Sequence, residues 1–228
     1  MNIKVVTGIV CLLMCNYPFP ILWHQQQSYP QAMSEQASLR DKMLDGNGNF
    51  ALILTEHPPI YTLGTSGSAK DVLQREVDGQ SIEVFQTGRG GEVTYHGPGQ
   101  LLCYVVANLA HEQDLHQHIW RLEEVIIRTL AVLGVTGLRD DRGIGVWVDG
   151  LKIAAAGVRC RRWVVWHGIA LNIKPNLNHF KGIIPCGMRD APVTSLANLG
   201  LEVTRESVET ILKRQVAEVF STLFLPAD

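Results

Sequence analysis

The chain has 228 residues, of which 46% are hydrophobic and 18% charged, so it is long enough to bury a full core as one large domain. Its formal net charge of -2 at pH 7 excludes the broad Lys and Arg excess that drives sequence-independent binding to nucleic acid phosphates. The five cysteines are odd in number and show neither metal-ligand pairing nor the density of a disulfide scaffold. We therefore expect a reducing, cytoplasmic setting, with neither nucleic acid nor membrane as a partner.

The N-terminus allows two interpretations. Residues 5–15 form an apolar run after Lys4, as in a short secretory signal, but the run lacks a small-x-small cleavage site and is followed by Pro18 and Pro20. A buried first strand is the favoured interpretation. We expect residues 1–28 to be a segment of open role that packs on the domain, and residues 29–228 to form a single domain.

The first half of that domain predicts one helix and several buried strands. Residues 29–44 carry apolar side chains at helical spacing, and Gly46-Asn-Gly48 stops the pattern. Residues 50–54 read as a strand whose exit is forced to be extended by Pro58 and Pro59. Loop residues 64–68 follow. Further strands are predicted at 82–85 and 101–109, with a glycine-rich stretch at 89–100 between them.

The second half predicts two helices around a three-stranded meander. An apolar stripe marks a core helix at 115–133, ended by Gly134 in a left-handed cap. The Asp149-Gly150 pair tolerates the positive backbone angles of a tight turn, so residues 144–158 predict a hairpin with Lys152 just beyond its turn. A third adjacent strand is predicted at 163–173. Thr204 is predicted to cap the C-terminal helix.

Cys186 and Lys152 are the candidate chemical pair. A free thiol is only a few per cent ionised at neutral pH, so a nucleophilic cysteine needs a nearby cation or base. Pro185 and Gly187 suit a thiol presented on a loop, and the small residues after Lys152 predict one wall of a groove. Lys152 could accept the thiol proton or hold the thiolate as an ion pair. Taken alone, each residue also fits a structural role, as a small buried hydrophobe and as a solvated lysine.

Other motifs are less specific. The stretch 89–100 offers backbone amides to a carbonyl or anion, but it lacks the Gly-Lys-Ser/Thr ending of a P-loop, so nucleotide hydrolysis gains no support. His96 has no second ligand at metal-binding spacing. His167 and His179 lack a protease-type signature, and each fits the role of a hydrogen-bonded polar residue or of a group that positions its neighbours. A basic cluster that could steer an acidic carrier protein consists of Arg159, Arg161 and Arg162.

Three strings together resemble the lipoyl(octanoyl) transferases of the biotin/lipoate protein ligase superfamily. They are RGGEVTYHGPGQ at 89–100, GLKIAAAGVRCRRWVVWHGIALNI at 150–173, and FKGIIPCGM at 180–188 followed by VTSL at 193–196. The stretch EHPPIYTLG at 56–64 belongs to the same pattern. The resemblance extends from about Tyr29 to Leu196 in family order. The residues before it lie outside, and their role stays open.

The resemblance implies an α/β fold of the α+β type, with a mixed, largely antiparallel sheet flanked by helices as in biotin and lipoate ligase catalytic domains. It implies transfer of an octanoyl group from octanoyl-acyl carrier protein to a lysine of lipoyl domains, in 2-oxoacid dehydrogenase complexes and the glycine cleavage H protein. Neither a metal nor another cofactor is expected, and a monomer is expected.

Carried onto this chain, the resemblance makes Cys186 the acyl-thioester nucleophile and Lys152 the residue that lowers its pKa. The residues implied to line the substrate site are Arg89, Gly90, Gly91, Glu92, Val93, Thr94, Tyr95, His96, Ala155, Ala156, Gly157, Gly168, Ile169 and Ala170. Ala156 and Trp166 depart from the family pattern in size, which leaves the depth of the acyl pocket open.

Two alternatives stay open on the sequence. An ATP-dependent ligase that adenylates lipoate or biotin would share the fold and the glycine-rich loop but would not require a thiol at position 186. A non-catalytic carrier-binding module would leave Cys186 inert and would depend on the arginine cluster.

Overall fold

A computed structural model describes residues 17–184 and 192–223. Its strands, in chain order, are β1 (Ile21–Trp23), β2 (Phe50–Thr55), β3 (Ile60–Leu63), β4 (Glu76–Val77), β5 (Gln80–Ser81), β6 (Glu83–Gln86), β7 (Val93–His96), β8 (Gln100–Asn108), β9 (Val146–Val148), β10 (Leu151–Arg161) and β11 (Val164–Asn172). Its α-helices are α1 (Tyr29–Leu44), α2 (Leu115–Val132) and α3 (Arg205–Val219). Short 3-10 helices occupy Ala69–Asp71, Leu177–Gly182 and Ser221–Leu223.

The main sheet has six strands in the order β1-β2-β8-β11-β10-β9. β1 pairs with β2 in parallel, and every other neighbouring pair is antiparallel. The central strand β8 is buried from Gln100 to Ala107 because both of its faces are covered. Such a strand reads as a continuous apolar run rather than an alternating one.

The three helices cover the two faces of this sheet. Leu101, Cys103 and Val105 of β8 belong to the large core shared with α2 and α3. Leu102 and Tyr104 point to the opposite face, where they join the cluster beneath α1. Asp114 precedes α2 as its N-cap, and its carboxylate accepts a hydrogen bond from the Gln117 amide at 2.9 Å. Its apolar stripe then packs against β10 and α3.

A smaller sheet lies beside the main one and contains β6, β3 and β7 in that order. β3 pairs with β6 in parallel and with β7 in antiparallel fashion. Its core contains Tyr61, Tyr95 and Phe180. β4 and β5 form a separate two-stranded ribbon.

Two tight turns fix the meander of β9, β10 and β11. Asp149 and Gly150 both have positive φ, 48° and 78°, and they join β9 to β10. Arg162 and Trp163 have φ of 51° and 63° and join β10 to β11. Because both turns are two residues long, they set the register of all three strands.

Most of the predicted elements are confirmed. These are the helices at 29–44 and 115–133, the left-handed Gly134, the hairpin around Asp149-Gly150, the adjacent strand at 163–173 and the helix capped by Thr204. The mixed, largely antiparallel sheet flanked by helices is confirmed as well. The predicted strand at 5–15 lies outside the described residues. Within the described residues, no helix is long and apolar enough to cross a membrane.

Five strands are not predicted by the sequence, namely β1, β3, β4, β5 and β7. Two of them belong to the smaller sheet: Ile60–Leu63 follows the prolines with no predicted element, and Val93–His96 lies within the glycine-rich stretch. Each has only four residues and is buried by a partner distant in sequence. A short apolar run of this kind carries little periodicity of its own.

Gly168→Ala tests the close packing of β11 on β8. A Cβ at position 168 would collide with the carbonyl oxygen of Cys103 on the central strand, which has little freedom to shift. We expect the free energy of unfolding in urea to fall by about 2–3 kcal/mol. Gly90→Ala is the control, because its Cβ would meet nothing closer than the Val158 carbonyl oxygen at 3.5 Å. Equal losses in the two variants would contradict this account of the packing.

Candidate functional site

A cavity of about 560 Å³ lies between strand β10, the glycine-rich segment 89–92 and the adjoining strands β7, β8 and β11. This volume is in the range of small-molecule binding sites. The predicted lining residues that do border the cavity are Arg89, Gly90, Gly91, Glu92, Val93, Thr94, His96, Ala155, Ala156, Gly157, Gly168, Ile169 and Ala170. Lys152 borders it as well.

The wall formed by β10 and β11 owes its space to small residues that face each other in register. Ala155 pairs with Ala170, and Gly157 pairs with Gly168. Side chains of this size leave open space beside the two strands, which larger side chains would fill. Apolar groups complete the wall, including Leu102, Ile119 and Ile144.

Arg89 holds the glycine-rich segment in place. Its guanidinium donates hydrogen bonds to the carbonyl oxygens of Thr62 at 2.7 Å, Glu92 at 2.8 Å and Gly90 at 3.0 Å. The Gly90 amide in turn donates to the Val158 carbonyl oxygen at 2.8 Å. These bonds tie the segment to both sheets, so Arg89 shapes the cavity by holding backbone.

Tyr95 is a correction to the predicted lining. Strand β7 alternates its side chains, so Thr94 and His96 face the cavity while Tyr95 is fully buried in the smaller sheet's core. There it stacks edge-on against Phe180 with ring centres 5.2 Å apart, and its hydroxyl lies 2.9 Å from His179 Nδ1. Its role is therefore in packing.

A chain of polar side chains crosses the cavity wall. His96 Nδ1 lies 2.7 Å from Gln100 Oε1, so this nitrogen carries the proton. Gln100 Nε2 donates to Asn172 Oδ1 at 2.9 Å, and Asn172 Nδ2 donates to the Thr194 carbonyl oxygen at 2.9 Å. The chain thus satisfies the wall's own polar atoms and fixes the backbone at Thr194.

The histidines around the cavity are held neutral. Burial lowers the pKa of His96 to about 3, that of His167 to about 3 and that of His57 to about 4. His57 Nε2 is hydrogen-bonded to the Tyr104 hydroxyl at 2.7 Å. His96 and His167 therefore border the cavity as neutral imidazoles. The charged residues of its described lining are Arg89, Glu92, Arg142 and Lys152.

Lys152 lies where the cavity meets β9. Its Nζ donates to the Ile144 carbonyl oxygen at 3.1 Å and lies 4.7 Å from the centre of the Trp147 ring. Its backbone amide donates to the Pro192 carbonyl oxygen at 2.8 Å, and its carbonyl accepts from the Thr194 amide at 3.0 Å. Lys152 is therefore joined directly to the residues that follow the cysteine-bearing segment.

Cys186 lies outside the described residues. On its N-terminal side, Ile183 forms a bridge to Val72, and the Ile184 amide donates to the Asp71 carbonyl oxygen at 2.8 Å. On its C-terminal side, Val193 borders the cavity. The chain thus enters and leaves residues 185–191 through anchored positions.

The two described cysteines are poor nucleophile candidates. Burial raises the pKa of the Cys103 thiol to about 12 and also raises that of Cys160. Neither borders the cavity. A thiol that ionises so reluctantly supplies little thiolate near neutral pH.

Two further candidates from the sequence have structural partners. The His167 backbone amide donates to Gln36 Oε1 at 2.9 Å, and the Arg159 guanidinium lies 5.4 Å from the Trp166 ring centre. Among the described residues, no group of three or more His, Cys, Asp and Glu is gathered as metal ligands would be. Sequence reasoning missed Gln100, Asn172 and Trp147. Gln100 and Asn172 bond to each other across 72 positions of the chain, and Trp147 meets Lys152 across the β9-β10 hairpin.

Comparison with known proteins identifies the family. Residues 28–217 match the lipoyl protein ligase A/B catalytic domain. The chain belongs to this family. The octanoyltransferase of Nitrobacter hamburgensis is 45% identical over 211 residues, covering 87% of this chain and 86% of the relative. The octanoyltransferase of Paramagnetospirillum magneticum is 43% identical, and the match covers 89% of this chain and 98% of the relative. The resemblance read from the three strings is confirmed.

Solved structures of the same fold come from the related ligases. A bipartite lipoate protein ligase from Thermoplasma acidophilum has a TM-score of 0.65 at 18% identity, covering 89% of this chain and 83% of that one. The biotin protein ligase of Aquifex aeolicus has a TM-score of 0.52 at 12% identity, and the match covers 90% of this chain and 70% of that ligase. The predicted fold of this family is confirmed by both.

The buried histidines make stability depend on pH. Unfolded histidine titrates near 6.5, whereas His57, His96 and His167 titrate at about 3 to 4 when folded. Between these values only the unfolded chain takes up the protons. The free energy of unfolding should therefore fall as pH drops from about 6.5 towards 4, by at most about 1.4 kcal/mol per pH unit for each histidine. Urea titrations from pH 7.5 to 4.5 measure this slope, and a flat profile would contradict it.

His118→Leu tests a fourth buried histidine that adds to that slope. His118 is fully buried, its ring nitrogens have no hydrogen-bond partner among the described residues, and burial lowers its pKa to about 3. Removing it should make the free energy of unfolding fall less steeply below pH 6.5, by the contribution of one bound proton. A slope equal to that of the unmodified protein would show that His118 is not held neutral.

Proposed function

We propose that the protein transfers an octanoyl group from octanoyl-acyl carrier protein to a lysine of lipoyl domains through a thioester on Cys186. The observation that carries this is the placement of Lys152 at one end of a cavity walled by small apolar residues. Relatives named octanoyltransferase, 43–45% identical over most of the chain, support the same activity.

The cavity suits a saturated chain. Ala155, Ala156 and Gly157 on β10 face Gly168, Ile169 and Ala170 on β11, and these residues line the cavity together with Leu102. Each methylene moved from water into such apolar surroundings contributes about 0.8 kcal/mol. His96 Nδ1, Gln100 and Asn172 are bonded to one another and to the Thr194 carbonyl oxygen, so an apolar chain does not compete for these bonded atoms.

The transfer takes two balanced steps. In the first, the Cys186 thiolate attacks the carbonyl carbon of the octanoyl thioester, a new carbon–sulfur bond forms, and the carrier thiolate leaves and takes up a proton. In the second, the neutral amine of the acceptor lysine attacks the enzyme-bound acyl group, an amide bond forms, and the Cys186 thiolate leaves as the amine loses its proton. Because a thioester is already activated, neither step requires ATP.

Lys152 would serve the cysteine in both steps. As a proton acceptor or as the cation of an ion pair, it raises the thiolate fraction before attack, and it can return a proton to a leaving group. Its backbone bonds to Pro192 and Thr194 support this role, because they join it to the chain just after the cysteine-bearing segment. Backbone amides near the glycine-rich segment or the cysteine would stabilise the oxyanion, by about 3–4 kcal/mol per donor.

The partners follow from the chemistry. The donor is an acyl carrier protein, and the acceptors are lipoyl domains of 2-oxoacid dehydrogenase complexes and the glycine cleavage H protein. A covalent intermediate lets these two bulky proteins use one site in turn, so the protein can work as a monomer. An odd set of cysteines fits a cytoplasmic enzyme with reduced thiols.

The acyl intermediate can be observed directly. Incubation with octanoyl-acyl carrier protein, without ATP, should give one octanoyl adduct by intact-mass spectrometry, and hydroxylamine should remove it because it is a thioester. Cys186→Ser should form no hydroxylamine-labile adduct, while Cys160→Ser should behave as the unmodified protein.

The same experiment separates the alternatives. Absence of an adduct on the unmodified protein would refute the transferase proposal. Modification of a lipoyl domain only with free acid and ATP would identify a ligase, and normal carrier binding with no transfer would identify a binding module.

The role of Lys152 is tested by thiol alkylation. Lys152→Ala should slow iodoacetamide labelling of Cys186 at pH 7 by about tenfold, the change expected from a shift of about one unit in the cysteine pKa. Peptide mass spectrometry across pH 5.5–9.5 measures the profile. Lys42→Ala, an exposed lysine on α1, is the matched control, and identical profiles for the two variants would remove Lys152 from its role.

A further inference from the structure

We propose that Trp147 is a positioning residue for Lys152, and that its indole ring holds the lysine Nζ where the transfer reaction needs it. This inference rests on the proposed function, since it assigns Lys152 its place in the chemistry. Trp147 and Lys152 are cross-strand neighbours on the hairpin of β9 and β10. Both border the cavity.

Two adjacent groups among the described residues hold the lysine head. Its Nζ lies 4.7 Å from the centre of the Trp147 ring, within the range of a cation–π contact. It also donates to the Ile144 carbonyl oxygen at 3.1 Å. Together the two contacts favour one placement of the ammonium among the many rotamers of a four-carbon chain.

The ring itself is fixed. Trp147 is only 2% exposed, and its Nε1 donates to the Gly143 carbonyl oxygen at 3.2 Å. Its backbone exchanges two hydrogen bonds with Leu138, each of 2.8 Å. Because Gly143 precedes Ile144, the indole and the lysine are bonded to consecutive carbonyl groups of one segment.

That segment is tied to the core. The Gly145 amide donates to Glu123 Oε1 on α2 at 2.8 Å, and Glu123 is itself buried. The ring and the segment 143–145 therefore connect Nζ to a core helix, which helps to fix its position. Preorganisation of this kind is what a reacting group needs, because small displacements cost rate steeply.

A second cation shares the ring. The Arg142 guanidinium lies 4.3 Å from the ring centre and donates to the two Asp140 carboxylate oxygens at 2.7 Å each. These bonds hold the pKa of Asp140 at about 2, and the charge of Lys152 contributes to that shift. The carboxylate therefore balances the guanidinium, so that two cations can share one ring without strong repulsion.

The test compares three tryptophan variants. Trp147→Leu should lower kcat for octanoyl transfer by about tenfold, with KM for the donor within about twofold of the unmodified value. It should also move the pH profile of Cys186 alkylation to higher pH. Trp147→Phe keeps an aromatic face and should recover most of kcat. Trp120→Leu is the matched control, since Trp120 has Arg139 at 4.5 Å but lies outside the cavity lining.

A measurement on the unmodified protein guards against misfolding of a variant. With 13C-labelled lysine, the Lys152 ε-methylene protons should be shifted upfield by the indole ring current, with Lys152→Ala used for assignment. An unshifted signal would overturn the inference, and so would a folded Trp147→Leu with unchanged kcat and pH profile. If Lys152→Ala were fully active, the role of Lys152 in the proposed function would fail instead.

Discussion

The register of the β9-β10-β11 meander is the constraint on which the rest of the site depends. Two two-residue turns set it, and a slip of one residue would send every side chain of β10 to the opposite face. In the observed register Gly157 meets Gly168, Ala155 meets Ala170, and Lys152 meets Trp147. The open cavity and the position of the lysine are therefore consequences of one backbone arrangement.

The cavity combines an apolar passage with a polar wall, and internal pairing makes the two compatible. The Arg89 guanidinium donates hydrogen bonds to three backbone carbonyl groups. His96, Gln100 and Asn172 bond to one another in a line that ends at the Thr194 backbone. Because these bonds are made within the protein, a hydrocarbon chain can pass the bonded atoms without breaking any of the bonds.

The same wall couples the cavity to the chain around the cysteine. Thr194 receives a bond from Asn172 through its carbonyl and donates to Lys152 through its amide. Substrate wall, lysine and the residues following the cysteine-bearing segment are thus one connected network. A substitution at Asn172 would affect the position of Lys152 through two hydrogen bonds, although the two residues are far apart in sequence.

The sequence by itself determined the elements whose signals are local: the helix at 29–44, the stripe of α2 with its left-handed Gly134, and the Asp149-Gly150 turn that carries Lys152. Its three strings also determined the family. Only the tertiary structure decided that Val93–His96 is a strand, that Tyr95 turns away from the cavity, and that Trp147, Gln100 and Asn172 join the site. The physical reason is that a turn or a helical stripe is set by neighbours within a few residues, whereas the face of a short strand and the partner of a polar side chain are set by groups from distant parts of the chain.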